Sequence, residues 1–258
     1  MRRRNWTVPY ALFLIIFVVM PLLLIVVYAF TDAEGAFTFA NFRKFMMHPE
    51  SINTFVYSIG IAVITTLACL LLGYPAAYIL SQKRFNTSQT MVVLFILPMW
   101  VNILIRTLAT VALFDFLNLP LGEGALVFGM VYNYLPFMIL PLHTTLSSID
   151  KSYIEAAQDL GADNTTVFLK TILPLSVSGI ISGITMVFIP TISTFAISQL
   201  LSNGKIFLFG DSIQMKFDQG LYGVGSIMSL VMLVFVLISN FIMNRVGRNG
   251  NNMGRSLW

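Results

Sequence analysis

Two short stretches hold most of the chemistry this chain offers in apolar surroundings. In "LPMWVNILIRTLAT", residues 97–110, Met99, Asn102, Arg106 and Thr110 recur at three- and four-residue spacing and form one stripe on a helix. A guanidinium near the centre of a bilayer costs at least about 2.5–3.5 kcal/mol, so the stripe is expected to face protein or water. The alternative is that Arg106 snorkels outward along its aliphatic stem. A cationic ligand would not choose Arg as a partner, so pairing or gating is the expected role. In "YNYLPFMILP", residues 132–141, Tyr132, Asn133 and Tyr134 offer aromatic faces and an amide oxygen that could receive an ammonium group. The bland alternative is that Tyr and Asn satisfy one another where helices meet.

Catalysis finds no comparable foothold. Cys69 is the single cysteine, so no intrachain disulfide forms, and it reads as small apolar filler. His48 and His143 are far apart, no metal-ligand spacing occurs, and no GxxxxGK[ST] phosphate loop is present. Paired carboxylates and an activated nucleophile are also missing, which argues against a membrane enzyme. Asp211 and Asp218 lie seven apart and are expected to share a face of a short helix with Gln214. They are candidates for external contacts with substrate or another protein; plain solvated charge is the alternative.

The elements that position these residues follow from composition. The chain has 258 residues, 57% hydrophobic and only 10% charged, against roughly 25% charged in an average soluble domain. Its apolar runs reach the roughly 20 residues needed to cross a bilayer. The expected fold is an all-α integral membrane protein, a single transmembrane domain over 1–258 with six transmembrane helices. The spans run about Val8–Phe30, Thr54–Leu80, Met91–Leu113, Ala125–Ser147, Leu175–Gln199 and Val224–Arg245. The first follows Arg2-Arg3-Arg4 but exceeds the roughly 7–15 residues of a signal core, so it is expected to be retained. Prolines at 21, 75, 98, 136, 141 and 190 punctuate the spans, where neighbouring helices tolerate them.

Charge fixes the expected orientation. With both termini cytoplasmic, ten basic residues fall inside (Arg2, Arg3, Arg4, Lys83, Arg84, Lys151, Lys170, Arg245, Arg248 and Arg255). Four fall outside: Arg43, Lys44, Lys205 and Lys216. This satisfies the positive-inside rule, so the net charge of +4 reflects topology and gives no evidence for nucleic-acid binding. Seven acidic residues fall outside, a bias that would attract a cation over about 10 Å. The glycosylation-like Asn86-Thr-Ser and Asn164-Thr-Thr are both on the inner side and are set aside.

The connection 148–174 is a polar interruption with internal order. Ser152 and Glu155 have the spacing of a capping box that opens a short helix. Tyr153, Ala156, Ala157 and Leu160 are expected along one face. Gly161 is placed to end the helix in a left-handed conformation, Asp163 to cap a second short helix through Lys170, and Pro174 to admit the fifth span. The two alanines leave room for another surface to approach, so this segment reads as a docking element.

Glu155-Ala156-Ala157, Gly161 and Leu173-Pro174 resemble the EAA loop of ABC importer membrane subunits. The usual aliphatic residue ten places after the glycine is Thr171 here. The resemblance implies a type I ABC importer permease fold and a coupling helix seated in a groove of an ATPase. "LPMWVNILIRT", "GMVYNYLPFMILPL" and "IPTISTFAISQLLSNGKIFLFGDSIQMKF" further resemble the first permease subunit of bacterial spermidine/putrescine importers. That likeness implies a bacterial cytoplasmic-membrane location, a second permease subunit, two ATPase subunits, an extracytoplasmic solute-binding protein and a polyamine substrate. It further implies that ATP and Mg bind the partner ATPase and that this chain carries no cofactor. The alternatives are a permease for another small solute and a stand-alone secondary transporter. The latter lacks an ionisable relay in the spans and an internal repeat.

Overall fold

A backbone inside hydrocarbon has no water to bond, so the long apolar runs satisfy their N–H and C=O groups internally as helices. The computed structural model describes residues 7–32, 34–47, 49–82 and 88–256, with side chains for 8–32, 34–47, 49–82 and 90–247. Arg2, Arg3, Arg4, His48, Lys83, Arg84 and the Asn86 pattern lie outside the described residues, as do the side chains of Arg248 and Arg255. The only β pairing among the described residues is an isolated bridge between Thr31 and Phe37.

Helix α1 is Val8–Ala29, with a π-helical turn over Ile15–Val19. A short α2, Ala40–Met47, leads to α3, Pro49–Ser81. Next come α4, Ser88–Ile96, ending in a 3-10 turn at Leu97–Trp100, and α5, Ile103–Phe116. The fourth span is α6, Glu123–Ser148. The polar connection holds α7, Lys151–Asp159, and α8, Asn164–Leu175. They are followed by α9, Val177–Ser193, the short α10, Ile197–Leu201, α11, Phe209–Asp218, and α12, Tyr222–Ser256. Among the described residues four helices are long and apolar enough to cross a membrane, and six spans result if each of two bent pairs counts as one.

Those bends modify the expected spans. The third is not one continuous helix, because its two halves meet at 95°. Val101 and Asn102 are extended, and Asn102 caps α5 by accepting from the Leu104 N–H at 2.8 Å. The expected stripe from Met99 to Thr110 is therefore split. The fifth span ends at Ser193 instead of Gln199, since Thr194 is extended and the chain restarts as the buried α10.

The core is a three-helix contact of α3, α6 and α9, in which each packs on the other two. Gly179 and Gly183, four apart on α9, let α6 approach closely: a Cβ at 179 would lie 2.7 Å from Thr145 Oγ1, and one at 183 would lie 2.5 Å from Met138 Sδ. Small residues at this spacing bring membrane helices into tight van der Waals contact. By contrast α1 buries only Ala29 and leans on α12 through its C-terminal half. Asn41 fastens that end, donating to the carbonyls of Ala29 at 3.2 Å and Thr31 at 2.9 Å.

Candidate functional site

The connection expected to dock, residues 148–174, is built from two capped helices and one turn. Asp150, and not the expected Ser152, caps α7: its carboxylate accepts from the Ser152 N–H at 3.0 Å. The acid immediately before Lys151 reaches the free N–H groups first, so the Ser152–Glu155 box does not form and Glu155 stays exposed. Hydrogen bonds from the Ser152 backbone and hydroxyl hold the Asp150 carboxyl below its ordinary range.

Gly161 has φ +83°, and the turn around it is a Schellman motif. Its N–H donates to the Gln158 carbonyl at 2.8 Å, and the Ala162 N–H donates to Ala157 at 3.1 Å. Asp163 then caps α8, accepting from the Thr166 hydroxyl and from its N–H, and its carboxyl is lowered chiefly by that hydroxyl. The face differs in one member from expectation. Ala157 turns inward with Ile154 against the core, while Tyr153, Ala156 and Leu160 remain on the outer face, Leu160 at 86% exposure. Beside this face lies a cleft of about 1020 Å³, lined by Tyr78, Gln82, Asp150, Glu155, Gln158 and Asn164 among others.

Leu173 and Pro174 are half-buried at the end of α8, where the chain bends by 61° into α9. The pivot is Ser176, fully buried, whose hydroxyl donates to the Leu173 carbonyl at 2.9 Å and meets the Tyr74 hydroxyl of α3 at 2.8 Å. The Tyr74 ring stands edge-on to Phe168 of α8. Neither Tyr74 nor Ser176 was singled out from sequence. The available signal was a tyrosine beside Pro75 in an apolar span and a lone hydroxyl after Leu-Pro.

Within the spans, Arg106 is buried at 6% exposure and Asn133 is fully buried. Arg106 Nη1 donates to the Asn133 carbonyl at 3.4 Å, and Asn133 Nδ2 donates to the Gly129 carbonyl at 2.9 Å and to Thr107 Oγ1 at 3.3 Å. The guanidinium therefore points into protein and does not snorkel. Tyr132, next to Asn133, remains exposed, and Asn102 sits apart as a helix cap.

On the opposite side, Asp211 and Asp218 share α11 but not an environment. Asp211 is fully buried and accepts from the N–H groups of Ala196 and Leu208, the Ser198 hydroxyl and Gln199 Nε2. It ties α10 to α11 and fixes Ala196 at φ +69°. Asp218 is exposed and accepts from Gln214 Nε2 at 3.0 Å.

This architecture is that of the membrane subunits of type I ABC importers. A chain of the inward-facing MetNI methionine ABC transporter superposes with TM-score 0.62 at 17% identity, covering 77% of this chain and 95% of that one. A chain of the bacterial alginate ABC transporter, in complex with a pentasaccharide-bound periplasmic protein, gives TM-score 0.66 at 15% identity, covering 95% and 94%. The chain belongs to the family of binding-protein-dependent transport system inner membrane components, which it matches over residues 70–249. It is 34% identical over 227 residues to the spermidine/putrescine transport system permease protein PotB of Escherichia coli K12, covering 79% of this chain and 82% of that protein. Over 259 residues it is 30% identical to PotB of Haemophilus influenzae, covering 91% and 90%.

Proposed function

We propose that this chain is one membrane-spanning half of an ATP-driven polyamine importer, taking up spermidine or putrescine delivered by an extracytoplasmic binding protein. The observation that carries the substrate class is 34% identity to a spermidine/putrescine permease across four-fifths of its length. The remaining parts are a second permease subunit and two ATPase subunits, which hold ATP and its Mg. This subunit hydrolyses nothing, lies in the bacterial cytoplasmic membrane, and keeps both termini in the cytoplasm.

Its own residues supply coupling and part of the path. The outer face of α7, with Tyr153, Ala156 and Leu160, seats against the ATPase. Glu155 lies beside it at the cleft, and Gly161 sets the angle between α7 and α8. Movement of this element reaches α9 through Leu173, Pro174 and Ser176, and α9 packs directly on α6, which carries Asn133. Rocking of α9 and α6 would open the path to one side and then the other. Asn102, Arg106, Tyr132 and Asn133 contribute to the pathway, and exposed Asp218 is available for contact on the outer face. Buried Asp211 organises that face from within.

The test is reconstitution of the chain with its second permease and ATPase in liposomes, loaded binding protein outside and labelled spermidine as cargo. ATP-dependent uptake, competed by putrescine and not by methionine, is expected. Uptake by this chain alone would refute the subunit reading, and stronger competition by an unrelated solute would refute the substrate.

A further inference from the structure

Arg106 is a positive charge placed where nothing in its own chain neutralises it. Its guanidinium makes one hydrogen bond, at 3.4 Å, to a backbone carbonyl, and its buried Nε has no partner. Nearby, the buried Asn133 Oδ1 also has none. The residue is the fourth of α5, so its charge sits in the first turn, at the positive pole of that helix. Burial, a single weak acceptor and the helix dipole all oppose a cation here.

None of the acidic side chains among the described residues supplies a counter-charge. All 11 of its acidic residues are known, and among the described residues none forms an ion pair with Arg106. Asp115 is nine residues further along the same helix, about 13 Å away at 1.5 Å per residue. Glu123 opens α6, ten residues or about 15 Å before Asn133. Asp211 already accepts from four donors.

Burial narrows the remaining choices. The guanidinium is turned into protein against the Asn133 carbonyl, away from any lipid phosphate. Water can occupy a hydrogen bond but cannot cancel the charge, and a cationic substrate is repelled. What fits is a carboxylate fixed on a neighbouring protein.

We propose that Arg106 is half of an ion pair whose carboxylate belongs to a span of the second permease subunit. The inference rests on the reading of this chain as one of two permease halves. The 6% exposure left to Arg106 gives an approach from outside the chain, and exposed Tyr132 flanks it. Such a pair locks the two halves at the level of the path. A passing polyamine ammonium competes with Arg106 for the same carboxylate, so the lock opens as cargo arrives.

The experiment uses the assembled importer. Arg106→Glu is expected to lower spermidine uptake at least tenfold, whereas Arg106→Lys stays within a few fold. Reversing each Asp or Glu in the spans of the second permease to Arg, in the Arg106→Glu background, is expected to restore uptake at one position. In a Cys69→Ala background, Arg106→Cys is expected to be joined by a short bifunctional maleimide to a cysteine placed at that same position, since an Arg–carboxylate pair spans more than a disulfide can bridge; this does not depend on the charge-reversed chain assembling. A complex that assembles yet shows neither rescue nor cross-link at any acidic span position overturns the ion pair. Spans of the second permease without any acid overturn it too. Failure of the unmodified chain to co-purify with a second permease sinks the subunit reading instead.

Discussion

The Tyr74 hydroxyl of α3 lies 2.8 Å from the Ser176 hydroxyl at the bend between α8 and α9, and Ser176 is fully buried. One hydrogen bond thus pins the joint between α8 and the fifth span to the second span. Tyr74→Phe removes it at about 1 kcal/mol, while Ser176→Ala strands the phenol and costs about 1–3 kcal/mol. The double variant is expected to cost less than the two singles together, since the stranded group is gone. Thermal unfolding of the assembled complex measures this. Uptake per ATP hydrolysed should fall in both single variants; unchanged ratios would show that the joint transmits nothing.

Gly161→Val tests the turn. A Cβ at 161 meets nothing within 4 Å, so any cost is purely conformational, about 1–2 kcal/mol at φ +83°. Gly161→Asn, which tolerates that region better, is expected to be milder. The spans should still insert, with ATPase pull-down and substrate-stimulated hydrolysis reduced in the order Val, then Asn. Equal association for both would remove the coupling role from this turn.

The two cap carboxylates give the element a pH dependence of known sign. Asp150 and Asp163 both titrate below their ordinary value in the folded chain. Their contribution is complete above the unfolded value and is lost as pH falls through the lowered one. ATPase association is therefore expected to hold at neutral pH and weaken only below the ordinary carboxylate range. Asp163→Asn, which still caps, should flatten part of that fall. An unchanged acid limb in that variant would place its origin elsewhere.

Asp211 and Asp218 separate structural from exposed charge. Asp211→Asn sets an amide N–H₂ against two of the four donors, whichever oxygen it replaces, and losing a hydrogen bond to a charged group costs about 1.5–3 kcal/mol. A lowered unfolding temperature is expected for Asp211→Asn at any salt concentration, with none for Asp218→Asn. Equal effects would mean that the network around Asp211 carries little stability.

Orientation is checked by labelling. In a Cys69→Ala background, Asn164→Cys should be shielded from an impermeant external thiol reagent and Gln219→Cys should react. The reverse pattern in sealed cells would invert the topology and remove α7 from the cytoplasm.

Much of this was legible in the sequence for a physical reason: a bilayer demands long apolar runs, and those runs are local. The turn at Gly161 and the cap at Asp163 were equally local and were read correctly. The 95° break at Asn102 was not, because both halves of "LPMWVNILIRT" are apolar on most faces and a bend leaves the run uninterrupted. The fifth span was read too long for the same cause, since α10 is apolar by burial in protein instead of by contact with lipid. Asp211 escaped because its four donors come from Ala196, Ser198, Gln199 and Leu208, and only the folded loop gathers them. The Ser152–Glu155 pattern misled because Asp150 competes for the same N–H groups from two residues upstream.

The 61° angle at Ser176 also has a mechanical meaning. A rod pushed along its axis into a straight continuation acts as a piston, and the far end simply slides. Pushed into a bend this steep, most of the displacement arrives crosswise. In the proposed importer a thrust on α7 and α8 would therefore reach α9 as tilt about a fulcrum near Tyr74. A short stroke at one end would become a wider sweep at the opposite end of α9.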